Sequence, residues 1–484
     1  MYLINLFIMR STFLSILLFL FLNQVSSSQD VYTVKFRIHG IHDTTCLLAN
    51  YFGNGTYIKD SLKVDRSGRC VFKSASDLPK GVYLFIINPS VFFEFIIDND
   101  KSFSLETDTS DLYGKMVVRG SPENELFYHS IRFVKGKTRE IESIQTVIKN
   151  LPNSDPDSIA SLKKEIDRLN DEIKAFNRDL VKSNPETLIS LMILSMQNPD
   201  IPEAPILLNG RRDSTFAMFY YTNHFWDGTD FSDDRLLRTP GFHKKLEHYY
   251  STVLDNYNGQ SLRYIIHKSD SLIGISQSNP EMFKYMVSYV TMHYERCEIM
   301  GFDSLYVHMV DTYYKTGKSN WLNKTISDNI IKKADRLRPL LIGKIAPNMI
   351  MLDTNNQLVS MHSIRANLLL LLFWDPDCGH CETEIPKIHE IYNQFKESCG
   401  MEVFSICSDT SILKWKAGIK KRNMNWINVD GPRTITGNYH DQYDILTTPV
   451  VYILNEQKVI LAKQLRSDQI RQFITSYCKK KMVK

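Results

Sequence analysis

The sequence predicts a multidomain chain: an all-β sandwich, then an all-α helical domain, then an α/β domain. Three patterns carry this reading. Tyr32, Val34, Phe36 and Ile38 alternate with Thr33, Lys35 and Arg37, the period-two signature of a half-buried strand. Ile159, Leu162, Ile166, Leu169, Ile173, Phe176 and Leu180 recur at alternating spacings of three and four, a helical seam. Near the carboxyl end, an apolar run from Leu368 to Trp374 breaks at Asp375-Pro376-Asp377. It delivers Cys378-Gly379-His380-Cys381 to the head of a helix-patterned segment.

In chain order, residues 1–28 read as a secretory signal peptide. Phe13 to Leu22 is almost wholly apolar, follows Arg10 and yields to Val25-Ser26-Ser27-Ser28, with cleavage expected near Ser27 or Ser28. The uninterrupted stretch is shorter than the roughly 20 residues a membrane span needs, which disfavours an uncut anchor. Residues 30–120 are expected to form the sandwich. Short runs at Cys46 to Tyr51, Cys70 to Lys73, Tyr83 to Ile87, Phe92 to Ile97 and Met116 to Arg119 are separated by Gly, Asn and Asp turns.

Ser121-Pro122-Glu123 then supplies a helix cap, a first-turn proline and an acid where the helix dipole favours one, opening a helical domain over residues 121–340. Val134, Ile141, Ile144, Ile148 and Leu151 form a rougher seam, and Pro152 to Pro156 turns the chain toward the second one. An antiparallel hairpin within one chain is favoured over a dimeric coiled coil, because short seams find local partners. The aromatic cluster Phe216, Phe219, Tyr220, Tyr221, Phe225 and Trp226 is expected to be core.

Residues 342–484 alternate strand and helix patterns. A hairpin is expected from Met349 to Ile364, then the apolar strand, then a helix carrying Ile385, Ile388, Ile391, Tyr392 and Phe395 at helical spacing. Pro386 lies inside that helix and should kink it. A strand at Glu402 to Cys407, a helix around Thr410 to Arg422, strands near Trp426 to Val429, Val450 to Leu454 and Lys458 to Lys463, and a helix at Ser467 to Tyr477 follow.

Two residues between cysteines suit one helical turn, so both sulfurs can close a small ring. At the helix N-terminus the partial positive charge of unpaired N–H groups favours thiolate, making Cys378 the attacking atom and Cys381 the resolving thiol. The same spacing fits half of a zinc site, but the second ligand pair such a site normally needs is absent from the sequence, so redox chemistry is favoured over metal binding. Thiol-disulfide exchange of this kind needs no cofactor.

This order of elements resembles the thioredoxin fold, and more closely the TlpA-type exported thiol-disulfide oxidoreductases. The match rests on Phe373 and Trp374, on Cys378 and Cys381, on Glu384 with Pro386, and on Thr448 with Pro449. The resemblance implies a cis bond before Pro449 facing the cysteines, with Trp374, Thr448 and Pro449 at the substrate. It also implies clients among envelope protein disulfides or thiols, including apocytochromes in cytochrome c biogenesis, and a membrane thiol reductase as electron donor. The β domain resembles an uncharacterised domain fused ahead of TlpA-like domains, and the helical domain resembles another family of unknown function. Cys-Gly-His-Cys is similar to the tetrad of protein disulfide isomerases, where such a His stabilises the thiolate. Reference potentials run from about -270 mV for thioredoxin to about -180 mV for the isomerase, so an intermediate to oxidising potential is expected.

Departures from the family pattern matter too. Asp377 stands where the family carries an aromatic residue, and its carboxylate opposes the thiolate that the helix end and a protonated His380 favour. Leu372 occupies the position of thioredoxin's buried carboxylate, which leaves Glu384, on the same helix face as Cys381, as the candidate proton-transfer group.

A net charge of +4 on 484 residues, without a basic stripe, argues against a nucleic-acid partner. An exported reactive dithiol points to the periplasm or cell envelope of a bacterium. Of the six other cysteines, Cys46 and Cys70 are the expected pair, since both fall on strands of one small sheet. His293 and Cys297 share a helix face but lack further metal ligands. Two alternatives stay open: a thioredoxin-fold peroxidase, which would need a Thr where Asp375 stands, and an envelope binding protein whose redox domain is accessory.

Overall fold

Alternation of inward apolar and outward polar side chains builds the first part of the molecule. In the computed structural model, which describes residues 31–151, 156–255 and 261–482, eight strands form two four-stranded sheets. They are β1 (Tyr32–His39), β2 (Thr44–Phe52), β3 (Gly55–Val64), β4 (Arg69–Ser74), β5 (Gly81–Asn88), β6 (Val91–Ile97), β7 (Ser102–Asp108) and β8 (Val117–Arg119). One sheet has the order β4-β1-β7-β8 and the other β3-β2-β5-β6. Their inner faces meet through aromatic rings: Phe36 of β1 lies 4.6 Å from Phe85 of β5, and Phe95 of β6 lies 6.2 Å from Phe103 of β7.

Ser121 caps the helix Pro122–Asn150 by accepting from the Asn124 amide. The buried Asn124 side chain accepts from Ile96 N and donates to Ile96 O, both at 2.8 Å, so it satisfies the free edge of β6 as another strand would. The next helix, Pro156–Ser183, lies against the first, with Phe133 and Phe176 stacked at 4.1 Å and Lys137 Nζ 2.8 Å from Glu172. In the aromatic cluster Phe225 is buried, whereas Phe219 is exposed.

The chain divides into two compact units between Tyr257 and Asn258, inside the expected helical domain. The second unit contains the helices from Leu262–Ile275 to Lys324–Leu337 and a seven-stranded sheet. Its strands are β9 (Ile350–Asp353), β10 (Leu358–Ser360), β11 (Leu368–Trp374), β12 (Met401–Cys407), β13 (Ile427–Thr434), β14 (Val450–Asn455) and β15 (Ile460–Lys463). The sheet order is β10-β9-β13-β12-β11-β14-β15.

β11 is central and buried at all seven positions, which explains an apolar run without alternation: both faces are covered. Leu368, Leu370, Leu372 and Trp374 face a core with Ile385, Ile388, Tyr392, Trp415 and Ile470. Leu369, Leu371 and Phe373 face Met349, Met361, Tyr439, Tyr443 and Tyr452 on the other side. The expected signal peptide lies outside the described residues, among which no helix is long and apolar enough to cross a membrane.

Candidate dithiol site

β11, β12 and β13 run parallel and β14 antiparallel to β11, so the ends of the first three and the start of β14 converge. The dithiol sits there. Cys378 is the N-cap of the helix Gly379–Cys399, its Sγ accepting from the Cys381 amide at 3.3 Å. When protonated, the thiol donates to the Thr448 carbonyl at 3.2 Å, and the Thr448–Pro449 bond is cis. The two sulfur environments differ. Cys378 is partly exposed, while Cys381, one turn inward, is fully buried.

Burial pulls the Cys378 thiol upward. Hydrogen bonding from the side chains of Thr448 and Cys381, together with the backbone N–H groups of Cys381 and His380, outweighs it and holds the thiol below its ordinary value. Burial pushes Cys381 up to about 12, against an opposing N–H from Asp375. The thiol at the helix tip is thus the more readily ionised of the two, and the buried one stays protonated at neutral pH.

The turn before Cys378 is held by its own polar groups. Asp375 Oδ1 accepts from the Asp377 amide at 2.8 Å and Oδ2 accepts from Ser408 Oγ at 2.6 Å. Arg422 Nη2 donates to the Pro376 carbonyl at 2.9 Å, with its guanidinium over the Trp374 ring. Asp377 is paired with Lys414 Nζ at 2.6 Å, which offsets the carboxylate charge set against the thiolate. Nothing local in the sequence pointed to Lys414 or Arg422, because both reach the turn from the helix Ile412–Lys421 and its end.

Residues 342–463 match the AhpC/TSA family, residues 32–127 a domain of unknown function (DUF4369) and residues 161–336 another (DUF5106). The thiol-disulfide oxidoreductase ResA of Bacillus thuringiensis subsp. konkukian is 23% identical over 140 residues, covering 29% of this chain and 78% of the relative. ResA of Bacillus subtilis is 28% identical over 120 residues, covering 24% of this chain and 64% of the relative. A solved domain of a possible thiol-disulfide isomerase from Cytophaga hutchinsonii is 32% identical, covering 30% of this chain and 99% of that one, with a TM-score of 0.28. The carboxyl-terminal domain belongs to the thioredoxin-like thiol-disulfide oxidoreductases. A thioredoxin-like protein from Bacteroides caccae is 18% identical, covering 58% of this chain and 99% of that one, with a TM-score of 0.46.

Within this oxidoreductase domain the other expected site residues lie at different depths. Trp374 is fully buried beneath the turn that leads to Cys378. A Cβ on Gly418 would come within 2.8 Å of its ring, so the glycine lets the helix Ile412–Lys421 close over it. Glu384 lies on the active-site helix, but its carboxylate accepts from Lys387 Nζ at 2.7 Å and from the Ser467 amide at 3.1 Å. These bonds tie it to the head of the carboxyl-terminal helix and hold its carboxyl below the usual range against burial. His380 is exposed beside the cysteines. The helix runs through Pro386 as one segment.

The expected Cys46–Cys70 bond is absent, and both are buried free thiols on strands of different sheets. The disulfide joins Cys399 to Cys478 instead, fastening the far end of the active-site helix to the carboxyl-terminal helix. Among the described residues, the metal-competent group is Asp375, Asp377 and Asp409, which includes neither dithiol cysteine. Lys414 Nζ already lies 2.6 Å from Asp377 and 3.8 Å from Asp409.

Proposed function

We propose that this chain is an extracytoplasmic thiol-disulfide oxidoreductase that exchanges disulfides with envelope proteins through its Cys-Gly-His-Cys dithiol. The observation that carries the reading is the asymmetry of the pair: a lowered, accessible Cys378 one helical turn from a buried, protonated Cys381. In the reducing direction the Cys378 thiolate attacks one sulfur of a client disulfide. The other client sulfur leaves as a thiolate and takes a proton. Cys381 then loses its proton and attacks Cys378, freeing the second client thiol and leaving a Cys378–Cys381 disulfide. Two electrons and two protons pass to the client, and reversal oxidises it.

Thr448 and Pro449 flank the client, and His380 favours the Cys378 thiolate. A proton-relay role for Glu384 would require release of its bond to Ser467. The envelope location is supported by the signal-like residues 1–28 and by the Cys399–Cys478 bond, which suits an oxidising compartment. Apocytochromes are fitting clients and a membrane thiol reductase a fitting donor. A three-domain order is supported by the family matches at residues 32–127, 161–336 and 342–463.

The deciding experiment replaces Cys381 with Ala in the native envelope. Client proteins should accumulate as mixed disulfides on Cys378 and be released by dithiothreitol. A variant that traps nothing while its Cys378 remains alkylatable would exclude the exchange reading.

A further inference from the structure

The helical segment before the oxidoreductase domain packs on the elements that enter and leave the cis-proline loop. On the entry side, Arg336 of the helix Lys324–Leu337 lies 3.9 Å from Asp441 and 3.6 Å from Asp444. Asp441 belongs to the short helix Tyr439–Tyr443, and Asp444 caps it in the left-handed region at φ 49°. The Asp444 side chain is only 14% exposed. From Asp444 the chain reaches Thr448 in four steps, and the Thr448 carbonyl lies 3.2 Å from Cys378 Sγ.

Further bonds make this stretch stiff. Tyr443 Oη donates to the Pro347 carbonyl at 2.5 Å, Tyr452 Oη donates to the Tyr443 carbonyl at 3.0 Å, and the His440 ring pairs with the Ile445 carbonyl at 3.0 Å.

On the exit side, β14 begins directly after Pro449, and its Tyr452 is opposite Lys463 of β15. Lys463 is buried, forms an ion pair with Asp303 at the start of the helix Asp303–Met309, and donates to the Leu340 carbonyl at 2.8 Å. Outside β15, the linker runs antiparallel to it: Gly343 N donates to Ile460 O and Ile460 N to Lys344 O. Asp303, Arg336 and Leu340 thus bracket the cis-proline loop from one helical segment.

We propose that residues 303–340 are a positioning element for the cis-proline loop, with Arg336 as the positioning residue that holds Thr448 against Cys378. This rests on the exchange function above and assigns a role to the end of the helical domain. A loop that must be ordered at each encounter weakens client binding, whereas one already held does not. Arg336 touches neither sulfur nor client, so its loss should alter KM more than kcat.

The test uses the full-length reduced protein and its Arg336→Ala, Arg336→Lys and Asp444→Asn variants. Asparagine tolerates the left-handed conformation that position 444 adopts. Two readouts are taken: KM and kcat for reduction of insulin disulfides, and the pH profile of Cys378 alkylation by iodoacetamide, which needs no client.

For Arg336→Ala we expect KM to rise about fivefold with kcat within about twofold, the size of one partly exposed ion pair. The alkylation profile should shift as Thr448 withdraws from the sulfur, and Arg336→Lys should recover most of both effects. If Arg336→Ala loses its cooperative thermal transition, Asp444→Asn carries the same expectations. A folded variant whose KM and alkylation profile both coincide with wild type overturns the proposal. If the wild-type protein alkylates at Cys378 but leaves insulin disulfides intact, the exchange function fails and the alkylation profile alone decides the positioning role.

Discussion

The difference between the two active-site sulfurs can be tested as a rate ratio. Cys378 lies below the ordinary thiol value of 9.0 and Cys381 lies at about 12, so their pKa values differ by more than 12 − 9 = 3 units. At pH 7 the thiolate fraction of Cys381 is then about 10⁻⁵, at least roughly a thousandfold below that of Cys378. A more basic thiolate is intrinsically more nucleophilic. With a Brønsted slope of about 0.45, three units return a factor of about 20 to Cys381. The net preference for Cys378 is therefore at least about 50-fold before access is considered, and Cys381 is fully buried. The assay is a time course of iodoacetamide modification at pH 7 on the reduced protein, with each cysteine quantified by peptide mass mapping. Cys378 should be labelled nearly alone, Cys378→Ser should remove the fast phase, and Cys381→Ser should retain it. Comparable labelling of Cys381 and Cys378 would refute the argument that burial and the helix tip divide the roles.

Three further outcomes are expected. His380→Ala should make the dithiol more reducing, by about 30 mV for each tenfold loss of thiolate stabilisation, read by equilibration against glutathione. Burial, with Asp98 nearby, raises Glu123 to about 7 from an ordinary 4.5, so the folded state keeps a proton that the unfolded chain releases. The resulting stability is full below about pH 4.5 and lost as pH rises through about 7, amounting to about 3 kcal/mol. Urea midpoints at pH 5 and pH 8 should show this loss for wild type and a much smaller one for Glu123→Gln. The Cys399–Cys478 bond closes a loop with a sequence separation of 79, so Cys399→Ala/Cys478→Ala should cost about 4 kcal/mol in chemical denaturation while Cys378 stays reactive.

The dithiol was legible in the sequence because its determinants are local. A seven-residue apolar run, a break at Asp375-Pro376-Asp377 and a two-residue gap between cysteines depend only on neighbours, and they place Cys378 at the cap of the helix Gly379–Cys399. The helix faces were legible for the same reason: Ile385, Ile388, Ile391 and Tyr392 lie in one core with Leu370 and Leu372. The depth of Trp374 was not legible, because a resemblance at one position carries no information on burial. In this chain Gly418 and Arg422, more than forty residues away, close over it.

The sequence alone determined the three-part pattern of elements and the placement of Cys378 and Cys381 at the head of one helix, because periodicity and helix capping are decided within a few residues. Only the tertiary structure decided which cysteines bond, that Lys414 offsets Asp377, that Glu384 is bound to Ser467, and that Arg336 reaches Asp444. Each of those pairings depends on where distant segments come to rest after the sheet closes, and spacing along the chain does not encode that placement.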